Sequence, residues 1–157
     1  MKYLPFQITM FSAAIAFCSC STSKKTQADN STVDVENHAA ERRIDVKIDG
    51  QLFTSYAWPD AVMKPVIFPI VNAAGTIVTR GFPVNPRPGE RTDHPHHVGM
   101  WLNYGDVNGL DFWGNSYAIP EEIRKNTGGV IRHIKTDQLK SGKGKGSLTA
   151  YASWVDP

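Results

Sequence analysis

The chain has 157 residues, 41% hydrophobic and 20% charged, a balance that excludes both a wholly disordered polypeptide and a multi-span membrane protein. Seventeen basic against fifteen acidic side chains give a formal net charge of +2, too small for the electrostatic footprint of a nucleic-acid-binding protein. Ten prolines and thirteen glycines, with few long runs of strong helix formers, favour strands and turns over a helical bundle.

The first twenty residues, MKYLPFQITMFSAAIAFCSC, begin with a short basic start and continue into an apolar stretch ending in small residues. From Ile8 to Phe17 this stretch is too short to span a bilayer as a helix, and its layout is that of a secretory signal. Cys18 and Cys20 are the only cysteines, so removal of residues 1–19 leaves no pair for a disulfide framework. Cys20, preceded by Ser19 and followed by Ser-Thr-Ser-Lys-Lys, fits the lipidated N-terminus of a bacterial lipoprotein, with Phe17 standing where Leu is usual. More than one acyl chain on that cysteine would hold the protein stably on a membrane. The expected location is therefore the bacterial cell envelope, with simple secretion as the alternative. Residues 20–41 then comprise the lipidated cysteine and a flexible polar tether, almost without apolar periodicity, in which His38 is solvated.

The folded domain is expected over residues 42–157. Ile44, Val46 and Ile48 alternate with Asp45, Lys47 and Asp49, the period-two mark of a strand with one buried face. Asp49-Gly50 predicts a tight hairpin, and the returning strand runs from Gln51 to Tyr56 with Leu52 inward. Lys64 to Val71 is a short apolar run whose two prolines mark an edge or bulged strand. Asn72 to Gly75 predicts a turn and Thr76 to Arg80 a β-branched strand. Gly81 to His94, with Pro83, Pro86, Pro88 and Gly89, is an irregular loop. Val98 to Tyr104 reads as a further strand. Ile119 to Asn126 is the one helix expected, with Pro120 and two glutamates in its first turn and Gly128 as its stop. Alternating strands follow over Gly129 to Asp137 and Ser147 to Val155. The glycine-rich tip joining them reads as solvated; it lacks the Gly-Lys-Ser/Thr ending and the strand-to-helix setting of a phosphate loop. The expected fold class is all-β, mainly antiparallel: a β-sandwich with one short helix. Because the sequence stops at Asp156-Pro157 directly after a strand, the domain is expected to be incomplete at its C-terminus.

Three of the five histidines fall in Asp93-His94-Pro95-His96-His97. Pro95 favours an extended backbone at His94, in which residues two apart face the same side. His94 and His96 would then present two imidazoles to one ligand, while His97 points across the sheet. Such a pair is half of a zinc, copper or iron site, to be completed by His133, Asp93, Asp106 or Asp111. The glutamate that a cupin-type site places a few residues further on is absent, those positions being Met100 and Trp101. The other chemistry open to clustered imidazoles is proton transfer, because their ordinary pKa of about 6.5 makes both forms accessible.

Around the histidines lie Arg80, Arg91, Asn103 and Asp111, with Trp101, Tyr104 and Trp113. Rings beside carboxylates, amides and guanidinium groups suit a sugar: the rings cover apolar C–H faces and the polar groups take the hydroxyls. On that reading His96 or His97 is the acid/base group, paired with Asp93 or Asp111. Arg80 and Arg91 orient hydroxyl or carboxylate groups, Asn103 adds a polar contact, and Trp101 or Trp113 forms the stacking floor. Trp101, Phe112 and Trp113 each read equally well as core. Asp106 to Asp111 is a turn and not an EF-hand loop, since Asp111 and Tyr117 stand where Gly and Glu are needed. No Gly-x-Ser-x-Gly nucleophile elbow occurs.

The stretch GFPVNPRPGERTDHPHHVGMWLNYGDVNGLDFWGN, Gly81 to Asn115, resembles the bacterial family labelled "methane oxygenase PmoA", and the part from about Arg43 is similar too. The label implies a copper oxygenase, whereas membrane-bound methane monooxygenases need spanning helices that this sequence lacks after its leader. The resemblance also implies an exported β-sandwich from bacteria that degrade polysaccharides, on a sandwich like that of sugar mutarotases, and members that continue well past Pro157. Three functions are therefore open. The first is binding or processing of a carbohydrate or other small polar molecule through a histidine-rich cleft, with no cofactor needed. The second is a copper- or iron-dependent oxidoreductase holding its metal on His94 and His96. The third is a non-enzymatic cell-surface binding module whose histidines are hydrogen-bonding struts. In each, the lipid on Cys20 brings the protein to a membrane and no nucleic acid is involved.

Overall fold

A computed structural model describes residues 30–157; the leader, Cys20 and the start of the expected tether lie outside them. In chain order the described residues form β1 (Thr32–His38), β2 (Arg43–Ile48), β3 (Gln51–Ala57), β4 (Val66–Ile70), α1 (Glu121–Thr127), β5 (Val130–Lys140), β6 (Gly142–Lys143) and β7 (Ser147–Val155). One sheet has the order β4-β3-β2-β1-β6, and β5 and β7 pair as a second; every ladder is antiparallel. The fold is thus all-β and sandwich-like, with one short helix. That helix is not long and apolar enough to cross a membrane.

The hairpin at Asp49-Gly50 forms as expected. Ile48 pairs with Gln51 across two residues of positive φ, 49° and 76°, the combination a type I′ turn requires. Within β2, Ile44 is fully buried. Leu52 is not inward, however: a register shift after Val46 leaves it 36% exposed, and Thr54 and Ser55 take the buried positions on β3. The prolines of β4 also act as expected, since β4 is the outermost strand of its sheet and its pairing with β3 is irregular. At an edge a missing backbone donor costs no ladder bond. Helix α1 starts after Pro120, and Gly128 continues in extended conformation (φ −100°), passing the chain directly towards β5.

The expected tether differs most. Thr32–His38 is a strand held between β2 and β6, followed by a 3-10 turn at Ala39–Glu41. None of its side chains is buried, so hydrophobic patterning carried little signal; the ladder to β2, from Val33 opposite Ile48 to His38 opposite Arg43, supplies its order. His38 is also engaged, with Nε2 3.3 Å from Glu36 Oε2 and 3.6 Å from Asp45 Oδ2. The glycine-rich tip likewise has structure, for Gly142 and Lys143 pair with β1 and Gly144 N–H donates to the Ser31 carbonyl at 2.7 Å.

Thr76 to Arg80 and Val98 to Tyr104 do not form the expected strands. Only single bridges remain, Val71 to Ile77 and Ile67 to Met100. In the first, the Thr79 hydroxyl accepts the Ile70 N–H at 3.1 Å, replacing a ladder carbonyl, and Arg80 turns away to other partners. In the second, Gly99 has φ 59°, which interrupts any extended run. Residues 71–120 therefore pass from β4 to α1 without a helix or a longer strand. Val84, Val98 and Trp101 fasten this irregular stretch to Val66 and Phe68 of β4, making one apolar core.

Candidate functional site

Apart from His133 on β5, the residues expected to form the catalytic, sugar-binding or metal site lie in that irregular stretch. Pro95 does bar His94 from the right-handed helical region, but His94 escapes to positive φ (50°) and not to the extended one. The His97 N–H donates to the His94 carbonyl at 2.9 Å, so His94-Pro95-His96-His97 closes a β-turn, with Pro in its favoured second position. A turn gathers what a strand would have separated. The ring centroids of His94 and His97 are 5.1 Å apart and nearly parallel, those of His96 and His97 are 4.3 Å apart, and those of His94 and His96 5.7 Å. His97 therefore joins its neighbours instead of pointing across a sheet.

Arg80 builds this turn. Its Nη1 donates to the carbonyls of Asp93 at 2.7 Å and Arg91 at 3.4 Å, and its Nη2 to those of His94 at 2.7 Å and His97 at 3.0 Å. All four acceptors are main chain, so a residue expected to orient a substrate serves as a strut. Asp93 accepts from Arg91 Nη2 at 2.8 Å, and its Oδ2 lies 2.9 Å from His94 Nδ1. The His94 imidazole, helped by Arg91, holds the Asp93 carboxyl below the ordinary carboxylate range. The carboxylate expected beside His96 or His97 is thus paired with His94. Asp111 Oδ1 accepts the N–H groups of Trp113 and Gly114, each at 2.8 Å, and so shapes the turn that presents Trp113.

The aromatic wall stands against His97. Trp101 stacks on it with centroids 5.4 Å apart and planes 23° apart, and Trp113 meets it edge-on at 6.1 Å. Trp101 is partly core, whereas Trp113 is 46% exposed; Phe112 is buried against Trp154 and is core alone. A shallow hollow of about 310 Å³ is lined by Gly99, Met100, Trp101, Leu102, Asn103 and Trp113. The Asn103 amide donates to the Phe112 carbonyl at 3.2 Å, tying the two sides of this hollow together. Arg91 is highly exposed.

Of the proposed third metal ligands, Asp93 joins the turn through His94, whereas His133 and Asp106 do not. His133 Nδ1 is 3.1 Å from the Tyr56 hydroxyl and its ring stacks on Trp58 at 3.8 Å, while Asp106 accepts the Gly109 N–H at 2.8 Å within its own turn. Among the described residues no group of three or more His, Cys, Asp or Glu side chains is disposed to hold a metal ion.

Residues 43–157 match a family described as "Family of unknown function (DUF6807)". The chain belongs to the DUF6807 family. No curated protein and no solved structure matches it. The DUF6807 match takes in the whole irregular stretch and leaves out β1.

One residue of this DUF6807 site escaped sequence reasoning. Lys64 is 3% exposed; its Nζ donates to the Trp113 carbonyl at 3.0 Å and lies 5.3 Å from the centre of the Trp101 ring. Burial draws its pKa down to about 8, against the opposing pull of Asp111. In the sequence it looked like any lysine flanking an apolar strand. Burial, the neighbouring imidazoles and this ammonium also lower the pKa values of His96 and His97, so both rings are neutral at neutral pH.

Glu90 closes the loop that leads into the histidine turn. Oε1 accepts from Gly81 N–H at 2.8 Å and Arg87 Nε at 2.7 Å, and Oε2 from the N–H groups of Phe82 and Arg87 at 3.1 Å each. The Gly81 N–H and the other donors hold its pKa down to about 2, from an ordinary 4.5. A carboxyl lowered on folding contributes stability that is whole above its unfolded pKa and disappears as pH falls through its folded one. The Glu90 contribution should therefore fade between about pH 4.5 and about pH 2. In Glu90→Gln, urea midpoints followed by tryptophan fluorescence should be lower than wild type at pH 7 and should vary less across that acid window. Identical midpoints at pH 7 with an identical acid profile would contradict this account.

Proposed function

We propose that this chain is an exported, lipid-anchored envelope protein that binds and processes a carbohydrate at the histidine turn. The observation that carries the reading is the parallel contact of His97 with Trp101, flanked by exposed Trp113, beside an open hollow. An aromatic face covers the C–H side of a pyranose, and neutral imidazoles next to it can accept protons from the ring hydroxyls. The hollow, at about 310 Å³, lies at the small end of ligand sites and suits one sugar ring. His96 and His97 serve as bases, because their surroundings disfavour the charged form. The Asp93–His94 pair flanks them: the carboxylate, 2.9 Å from His94 Nδ1, fixes the orientation of that imidazole. Asn103, which lines the hollow, and exposed Arg91, beside Asp93 at the turn, are the polar contacts offered. The lipid anchor on Cys20 rests on the leader sequence.

A glycan array followed by calorimetry on the full native protein tests the proposal. Trp113→Ala should weaken sugar binding roughly fivefold without unfolding the protein, since the residue is about half exposed and stacking contributes about 1 kcal/mol. His96→Gln and His97→Gln should retain binding and lose turnover. Turnover should also fall in acid, at a pH below the ordinary imidazole range, because the lowered pKa values of His96 and His97 delay their protonation. Retained binding with no turnover in the wild type would reduce the protein to a binding module. Failure to bind every neutral and acidic sugar tried would end the proposal.

A further inference from the structure

A second cleft, of about 500 Å³, lies where β3 ends, α1 lies and β5 begins, and none of the three clustered histidines lines it. Its walls carry five cationic side chains, Arg42, Lys64, Arg124, Lys125 and Arg132, against two acidic ones, Asp60 and Glu121. Both acids are already engaged: Asp60 with Arg42, and Glu121 with Lys125 at 2.8 Å. Arg124 and Arg132 form no salt bridge among the described residues. The Met63 sulfur lies 3.7 Å from Arg124 Nη1 and the face of Tyr117 4.8 Å from the guanidinium, and the buried Nε has no hydrogen-bond partner among the described residues. A partly buried guanidinium whose one acidic neighbour, Glu121, is already paired with Lys125 keeps positive charge that an incoming anion would offset.

The same cleft has a flat wall. Trp58 and His133 stack at 3.8 Å with planes 20° apart, and the Tyr56 hydroxyl, 3.1 Å from His133 Nδ1, holds that stack in place. Planar fork donors next to a fixed aromatic surface recognise a ring that bears an oxyanion. A volume of about 500 Å³ accommodates one or two sugar rings.

We propose that this cleft is a second ligand site, for an acidic sugar whose carboxylate or sulfate meets Arg124 and Arg132 while its ring lies along Trp58. The assignment is independent of the histidine turn. The test is calorimetry on the full native protein with D-glucuronate, glucose 6-sulfate and glucose. At least one of the two anions should bind roughly tenfold or more tightly than glucose, and raised salt should weaken it. The tighter of the two assigns the oxyanion as carboxylate or sulfate. Arg124→Gln should weaken binding roughly tenfold. Arg132→Gln, at an exposed position on β5 where folding is unaffected, should do the same. His96→Gln and His97→Gln should leave anion binding unchanged, which separates this site from the histidine turn. The proposal is overturned if neither anion outbinds glucose, if both arginine variants titrate like wild type, or if the histidine variants abolish anion binding.

Discussion

Replacing Arg80 by Met should dismantle the histidine turn and remove about 3 kcal/mol or more of stability. One guanidinium, 25% exposed, serves the carbonyls of Asp93, His94 and His97 at 3.0 Å or less, with that of Arg91 at 3.4 Å. Bonds to a charged donor contribute about 1.5–3 kcal/mol each, and four on one group are lost together, so their sum overstates the effect. Met keeps the stem and its contacts but leaves the carbonyls converging on nothing. Arg80→Lys should recover only part of the loss, because a single ammonium cannot match a planar fork spread over four acceptors. Urea denaturation gives the stability, and sugar calorimetry on the still-folded fraction gives the site. A Met variant within about 0.5 kcal/mol of wild type would show that the turn stands without its strut.

Gly99→Ala should be comparably severe, costing about 3 kcal/mol and lowering Tm by roughly 10 °C. Two effects add. The backbone at Gly99 has φ 59°, where a side chain is strained by about 1 kcal/mol. A Cβ there would also collide with the Ile67 carbonyl oxygen and press on Phe68 Cβ at 3.1 Å. That carbonyl accepts the Met100 N–H at 3.0 Å, and the Met100 carbonyl accepts the Ile67 N–H at 2.7 Å, the bridge that seats the segment around Gly99 on β4. Relief of the clash would break the bridge and carry Trp101 off His97. Thermal melts combined with the sugar titration distinguish the outcomes: a native Tm with intact binding would mean that the backbone adapts cheaply.

What the sequence disclosed follows from where the structural information is local. Asp49-Gly50 announces its hairpin because two adjacent residues determine a type I′ turn, and β5 and β7 announce themselves by alternation over long runs. β1 was missed because an unburied polar strand is specified by its neighbours, and Ile48 opposite Val33 is invisible to a window centred on Val33. The gathering of His94, His96 and His97 was legible as composition, but their arrangement was not. Whether His94 extends or turns depends on Arg80, fourteen residues away, capturing its carbonyl. Lys64 was illegible for the same reason, since its partner is the carbonyl of Trp113.

β1 and β6 also set the order in which this protein can be completed. Val35 N–H reaches the Ser141 hydroxyl at 2.9 Å across a separation of 106 residues, and Thr32 lies opposite Lys143. As the polypeptide emerges from the ribosome, β1, β2 and β3 can assemble as a meander, yet its outer flank stays bare until residues 141–144 arrive. A bare flank invites strands from other molecules, and the acidic side chains of Asp34 and Glu36 are the guards available on β1 in the interval. Nascent chains stalled short of Ser141 would therefore be the form most prone to coaggregate.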